Sequence, residues 1–152
     1  MSNSLHCVLD ASVCIKHFIP DPLSQKVDAL LAYLAFPQTK IFVPDLFYIE
    51  MANILWKYFR AGQISDSLIQ RDLVTLKAFN LQVTSTAELM FAAANIAIQY
   101  QISAYDASYV ALSQEVNAPL LTLDNKLIKA LATSPFKVLS FADFSLSSRK
   151  SK

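Results

Sequence analysis

Apolar positions along this chain fall into short continuous runs separated by longer stretches at helical spacing. Leu5, Cys7, Val8 and Leu9 form the first run, which stops at a carboxylate, Asp10. Short runs that are apolar on both faces read as buried parallel strands. The same pattern predicts strands over Ile41 to Val43 (stopped by Pro44), Leu81 to Val83, Leu120 to Leu123 and Lys137 to Leu139. Helical spacing predicts helices between them. Val13 to Phe18 is ended by Pro20 and Pro22, and a second helix capped by Ser24 carries Val27, Leu30, Leu31 and Leu34. Others follow over Leu46 to Arg60 behind Asp45, from Ser65 to about Phe79, from Thr86 onward, over Ser103 to Val116, and over Asn125 to Leu131. Ser65 and Asp45 are good N-cap types.

Strands alternating with helices predict an α/β fold with a parallel sheet and helices on both faces, a three-layer α/β/α sandwich of five strands. One domain covers residues 5–144. The polar remainder, 145–152 (SLSSRKSK), reads as a disordered tail.

The helix from Leu46 to Arg60 departs from the usual amphipathic pattern. Leu46, Phe47, Tyr48, Ile49, Met51, Ile54, Leu55, Trp56, Tyr58 and Phe59 surround it. Its polar residues make one stripe, Glu50, Asn53, Lys57 and Arg60. A surface helix normally has a wider polar face, so this one is expected to be covered by the fold or by a second chain. A homodimer using some of Phe47, Met51, Trp56 and Tyr58 is the expectation.

Composition narrows the possibilities. The 152 residues are 54% hydrophobic, yet no run approaches the ~18 residues a membrane span needs. The N-terminus carries no secretory signal pattern, so a cytoplasmic location is expected. Cys7 and Cys14 fall in a strand and a helix and read as buried thiols. Neither they nor His6 and His17 have zinc-site spacing. Net charge is +1, from 13 basic and 12 acidic residues. If four acids were occupied by cations, the balance would be compatible with a phosphate-backbone partner. Gly62 is the single glycine, which excludes Gly-rich phosphate loops.

The acids carry the candidate chemistry. Asp10 ends the first strand, Asp124 ends the fourth, Asp106 lies in the first turn of its helix, and Glu50 is one turn into its own. Singly, Asp106 and Asp124 fit helix capping, and Glu50 fits a solvent stripe. Jointly they mean more. In a parallel sheet the ends of strands one and four share an edge with the helix starts that follow them. Like charges at ~4 Å and an effective dielectric of ~20 repel by about 4 kcal/mol per pair. Protons or a hard cation must neutralise such a cluster, and carboxylates alone suit Mg²⁺ or Mn²⁺.

Four segments, VLDASV, PDLFYIEMANIL, SAYDASYVALS and LLTLDNKL, carry a family resemblance. In order and spacing they resemble the signature segments of PIN domains, most nearly the VapC-type toxins of toxin–antitoxin pairs. The resemblance spans about residues 5 to 144. It implies a PIN-like fold and a metal-dependent endoribonuclease with Mg²⁺ or Mn²⁺ as cofactor. It maps the family's acids onto Asp10, Glu50, Asp106 and Asp124, its asparagine onto Asn53 and its polar LLTLDNKL residue onto Thr122, with Ser12 in support. By that analogy Asp10 and Asp106 bind the principal ion, and Glu50 and Asp124 complete the cluster and help deprotonate water. Asn53 and Thr122 orient the acids or the phosphate. Asn125 and Leu127 stand where some members carry a further acid, so one ion or two is implied. The partners implied are an RNA substrate, a small antitoxin protein that covers hydrophobic surface, and a second copy of the chain, with no membrane.

Two other readings compete. A noncatalytic PIN-fold module for RNA or protein binding would have no physical reason to keep a repelling cluster. An aspartyl-phosphate phosphohydrolase would use Asp10 as nucleophile, but its signature wants a second Asp two residues on, where Ser12 stands.

Overall fold

The sheet has five strands in the spatial order β3-β2-β1-β4-β5, all paired in parallel, in a computed structural model that describes residues 4–146. The strands are β1 (His6–Leu9), β2 (Lys40–Pro44), β3 (Gln82–Thr84), β4 (Leu120–Thr122) and β5 (Val138–Ser140). The helices are α1 (Ala11–Cys14), α2 (Ser24–Ala32), α3 (Leu46–Arg60), α4 (Asp66–Ala78), α5 (Thr86–Tyr100), α6 (Ala104–Val116) and α7 (Asn125–Ala130). The apolar runs became the central strands because both of their faces are covered. Cys7, Val8, Leu9, Ile41, Val43, Leu120 and Leu121 are all fully buried.

The chain winds outward from β1 through β2 to β3, then crosses back over β1 to β4 and β5. Parallel strands joined by right-handed crossovers carry α1 to α4 on one face of the sheet and α5 to α7 on the other. Helix α6 packs on β1, β2 and β4, and α5 packs on α6. The winding direction reverses between β1 and β4, which pair through Val8–Leu120 and Leu9–Leu121. A crevice opens outside the carboxyl ends of strands at such a reversal. Asp10 follows one of these strands, and Asp124 lies two residues past the other.

Local signals held with specific exceptions. The first helix begins at Ala11 rather than Val13, because the Asp10 carbonyl accepts from the N–H groups of Val13 (3.0 Å) and Cys14 (3.3 Å). Ser24 is not an N-cap. It lies inside α2, and its hydroxyl accepts from Asp21 N (2.9 Å) and donates to the Lys16 carbonyl (2.6 Å). Asp45 occupies the cap position of α3 with helical backbone, but its carboxylate turns to α5 and accepts from Thr86 N at 3.3 Å. Ser65 caps α4 as expected, through Leu68 N at 3.2 Å.

The fold covers only one stripe of α3. Phe47, Met51 and Leu55 are buried, while Ile49, Trp56 and Phe59 are 73%, 47% and 43% exposed. Phe47 and Met51 therefore belong to this chain's own core and are unable to serve a dimer contact, contrary to the expectation above. Cys7 and Cys14 are buried free thiols, and burial pushes both up to about 12, so neither is a nucleophile at neutral pH. Of the tail, Leu146 packs against the core and its carbonyl accepts from the Tyr33 hydroxyl at 3.1 Å. Residues 147–152 lie outside the described residues. Among the described residues no helix is long and apolar enough to cross a membrane.

Candidate active site

Asp10 is the hinge between β1 and α1. Its N–H continues the ladder by donating to the Leu121 carbonyl at 3.1 Å, and its carbonyl starts the helix. Its Oδ2 accepts two short hydrogen bonds, from Ser12 Oγ and from Thr122 Oγ1, both 2.7 Å. Thr122, the last residue of β4, is fully buried. Both hydroxyls serve the neighbouring loop as well: Thr122 Oγ1 accepts from Asp124 N (3.1 Å) and Ser12 Oγ from Leu123 N (3.0 Å). The segments after β1 and β4 are thus stitched together around one carboxylate. Burial pushes the Asp10 carboxyl above its ordinary range, and its two hydroxyl donors only partly offset that.

Asp124 is a helix cap in fact as well as in pattern. Its side chain accepts from Lys126 N (3.0 Å) and Leu127 N (3.1 Å) through a single oxygen, Oδ1. Asp106 is not a cap. Ser103 caps α6 by accepting from Asp106 N at 3.0 Å, and its hydroxyl also bonds the Asp106 carboxylate, which lowers that group's proton affinity in part. Burial holds that carboxylate above its usual range, and the charges of Asp10 and Asp124 push in the same direction. Glu50, in the second turn of α3, is likewise raised mainly by burial. The Tyr109 hydroxyl, which donates to Glu50 Oε1 at 2.5 Å, opposes the rise, while the charges of Asp10 and Asp106 add to it. Asp124 also adds to the rise at Asp10.

These couplings show which predicted residues the fold brings together. Four acids from β1, α3, α6 and the end of β4 sense one another's charge at the sheet's carboxyl edge. Ser12 and Thr122 hold one of them. Asn53 shares a surface depression with Asp10, Ala11, Ser12, Glu50 and Ile54. Tyr109 was not anticipated. It stands three residues after Asp106 on α6, a spacing that puts both on one side of the helix, but an aromatic at helical spacing normally reads as core. It is core, being 1% exposed, with its hydroxyl turned to Glu50.

The donor set is carboxylate oxygen alone, the chemistry of a hard divalent cation and not of zinc. Among the described residues no three Asp, Glu, His or Cys side chains are grouped closely enough to enclose one ion. Burial is the main cause of the upward shifts at Asp10, Glu50 and Asp106, with neighbouring carboxylates adding to each, and a bound cation would oppose both effects.

Residues 7–132 match the PIN domain family. The chain is 32% identical over 122 residues to a protein named ribonuclease VapC3 from Pyrobaculum aerophilum, covering 79% of this chain and 90% of that one. Its fold is similar to that of VapBC2 from Rickettsia felis, solved bound to a DNA fragment from its promoter. The TM-score is 0.65 at 15% identity, over 90% of this chain and 98% of that one. A toxin–antitoxin complex from Klebsiella pneumoniae is similar at TM-score 0.60 and 18% identity, over 89% and 97% of the two chains.

Proposed function

The chain belongs to the PIN domain family, and from that premise we propose that it is a divalent-metal-dependent endoribonuclease, the toxin of a VapBC-like toxin–antitoxin pair. The observation that carries this is the electrostatic coupling of Asp10, Glu50, Asp106 and Asp124 at the β1/β4 edge. The name of the 32%-identical relative supports RNA as the substrate. The toxin–antitoxin complex among the similar structures supports a protein antitoxin as partner. An RNA-cleaving toxin acts where its substrate is, in the cytoplasm.

In this reading Asp10 and Asp106 hold the principal Mg²⁺ or Mn²⁺, and Glu50 and Asp124 hold its water or a second ion. When bound, the ion supplies a Lewis acid at the phosphoryl oxygen and makes water more acidic. The chain's own residues do the rest. Ser12 and Thr122 lock the Asp10 carboxylate by two donors on one oxygen. Glu50, whose proton affinity is raised mainly by burial, takes the proton of the attacking water. Asn53, which lines the same depression, orients the phosphate. A homodimer is part of the reading, moved from α3 to α5. There Met90, Phe91 and Ile98 are 54%, 75% and 71% exposed, on a helix whose one charged residue is Glu88.

The test is RNA cleavage by the purified chain with Mg²⁺ or Mn²⁺, with chelator, and with Asp106→Asn. Cleavage that requires the ion and is lost in the variant is expected. Metal-dependent cleavage that persists undiminished in Asp106→Asn would overturn the site assignment.

A further inference from the structure

We infer that the exposed face of α3 is the track along which single-stranded RNA runs away from the acidic site, with Trp56 as a base-stacking platform and Lys57 and Arg60 as phosphate contacts. This rests on the nuclease reading and adds to it where the substrate lies.

Four carboxylates that must receive a scissile phosphate also repel the phosphates on either side of it. Compensating cations have to stand within about a Debye length, ~8 Å at physiological salt, of those flanking phosphates. Helix α3 supplies them in line with the site. Glu50 lies at the acidic end, and Asn53, Lys57 and Arg60 follow at spacings of three, four and three on one side of the helix. At 1.5 Å per residue, Lys57 is ~10 Å and Arg60 ~15 Å along the axis from Glu50. Asn53, Trp56, Lys57 and Arg60 are all exposed, and the first two members of the row, Glu50 and Asn53, line the same depression as Asp10.

Trp56 lies between the polar positions. Nearly half its surface is exposed, and the Arg60 guanidinium sits 5.3 Å from the ring centroid. The stacked arginine holds the indole and leaves both groups at the surface, a pairing that single-strand binders use for bases and backbone together. A purely apolar protein contact would not account for the unbroken polar row that begins at the acids.

Trp56 is the chain's one tryptophan, so its emission reports on this face alone. The experiment titrates a fluorescein-labelled single-stranded RNA of mixed sequence into the Asp106→Asn chain, following both RNA anisotropy and Trp56 emission. Trp56→Ala, Lys57→Ala with Arg60→Ala, and Lys77→Ala are compared by anisotropy. Lys77 is an exposed cation on α4, outside this face. Expected are quenching of Trp56 on binding and a Kd raised about fivefold or more by Trp56→Ala. The double variant should lower the slope of log K against log salt by about 0.7 per cation removed, with Lys77→Ala unchanged. RNA binding with unaltered Trp56 emission, or equal losses from Lys57/Arg60 and Lys77, overturns the track while leaving the nuclease reading intact. In that case the face is free for a protein partner. Failure of the wild-type chain to bind or cleave RNA with Mn²⁺ overturns both.

Discussion

The Tyr109 hydroxyl and Glu50 Oε1, 2.5 Å apart, join helices from opposite faces of the sheet at the edge where the acids gather. Helix α6 thereby delivers one acid, Asp106, and the donor that holds another. The tyrosine proton is strongly retained, since burial and the neighbouring charges of Asp10 and Glu50 all push its ionisation upward. It is a permanent donor to a carboxylate that nothing else in the described hydrogen-bond network holds.

Tyr109→Phe should therefore separate positioning from packing. The ring keeps its buried site, so the stability loss should be confined to one hydrogen bond to a charged group, about 1.5–3 kcal/mol. Glu50 would lose its anchor, and we predict roughly tenfold weaker Mn²⁺ binding by calorimetry together with slower RNA cleavage, an effect of about 1.4 kcal/mol. A variant that loses stability but binds Mn²⁺ as tightly as the wild type would show Tyr109 to be structural only.

The acid cluster makes a prediction of opposite sign for stability and for metal response. A cation at about 100 times its dissociation constant stabilises the state that binds it by ~2.7 kcal/mol. Asp10→Asn should abolish most of that shift. The same substitution removes a buried charge whose two hydroxyl donors only partly offset its burial. The metal-free variant should then melt higher than the metal-free wild type, by on the order of 1 kcal/mol. Thermal melts with chelator and with Mn²⁺ check both halves, and an Mn²⁺ shift of wild-type size in Asp10→Asn would remove Asp10 from the metal-binding set.

The pH dependence follows from the direction of the shifts. Asp10, Glu50 and Asp106 all have folded-state values raised above their ordinary ones. Between those raised values and the unfolded range near ~4, the folded chain binds protons that the unfolded chain does not, so stability rises as pH falls through this window. The usual paired carboxylate behaves in the reverse way. In chelator, the stability advantage of Asp10→Asn over the wild type should therefore shrink as pH is lowered from 8 toward 5. An advantage that grows on acidification would contradict the shifts.

Much of this was legible in the sequence, for identifiable reasons. Cys7 to Leu9 in β1 and Leu120 and Leu121 in β4 are fully buried, so Leu5 to Leu9 and Leu120 to Leu123 read as nearly continuous apolar runs, broken only by His6 and Thr122, and the acids that end them were visible. Asp106 and Glu50 were recognisable by their order in the four segments. What stayed hidden depends on which way a side chain turns. Asp45 looks like a cap for α3 and instead reaches Thr86 N on α5. Ser24 bonds the chain before it rather than the helix after it. Tyr109 resembles core because its ring is core, and only the fold reveals the acceptor at its hydroxyl. Phe47 and Trp56 look alike in an apolar helix, yet one is fully buried and the other exposed, because the core takes a single stripe of α3.

The exposed apolar side of α5 gives the last prediction. Phe91, Ala94 and Ile98 follow a three-and-four spacing, with Met90 beside them, so they line one side of a helix. No basic residue interrupts them, and Ala94 allows close approach of another helix. Exposed apolar clusters of this kind mark contact surfaces. If α5 carries the homodimer, Phe91→Glu or Ile98→Glu places like charges opposite one another across a two-fold interface, where the same patch meets itself. Light scattering should then show a dimer for the wild type and a monomer for either variant. Both residues are exposed in the single chain, so the variants should keep the wild-type circular dichroism and melting behaviour. A wild type that stays monomeric at high concentration would rule the dimer out. A dimer that survives both substitutions would move the interface away from α5 and back toward Ile49 and Phe59 on α3.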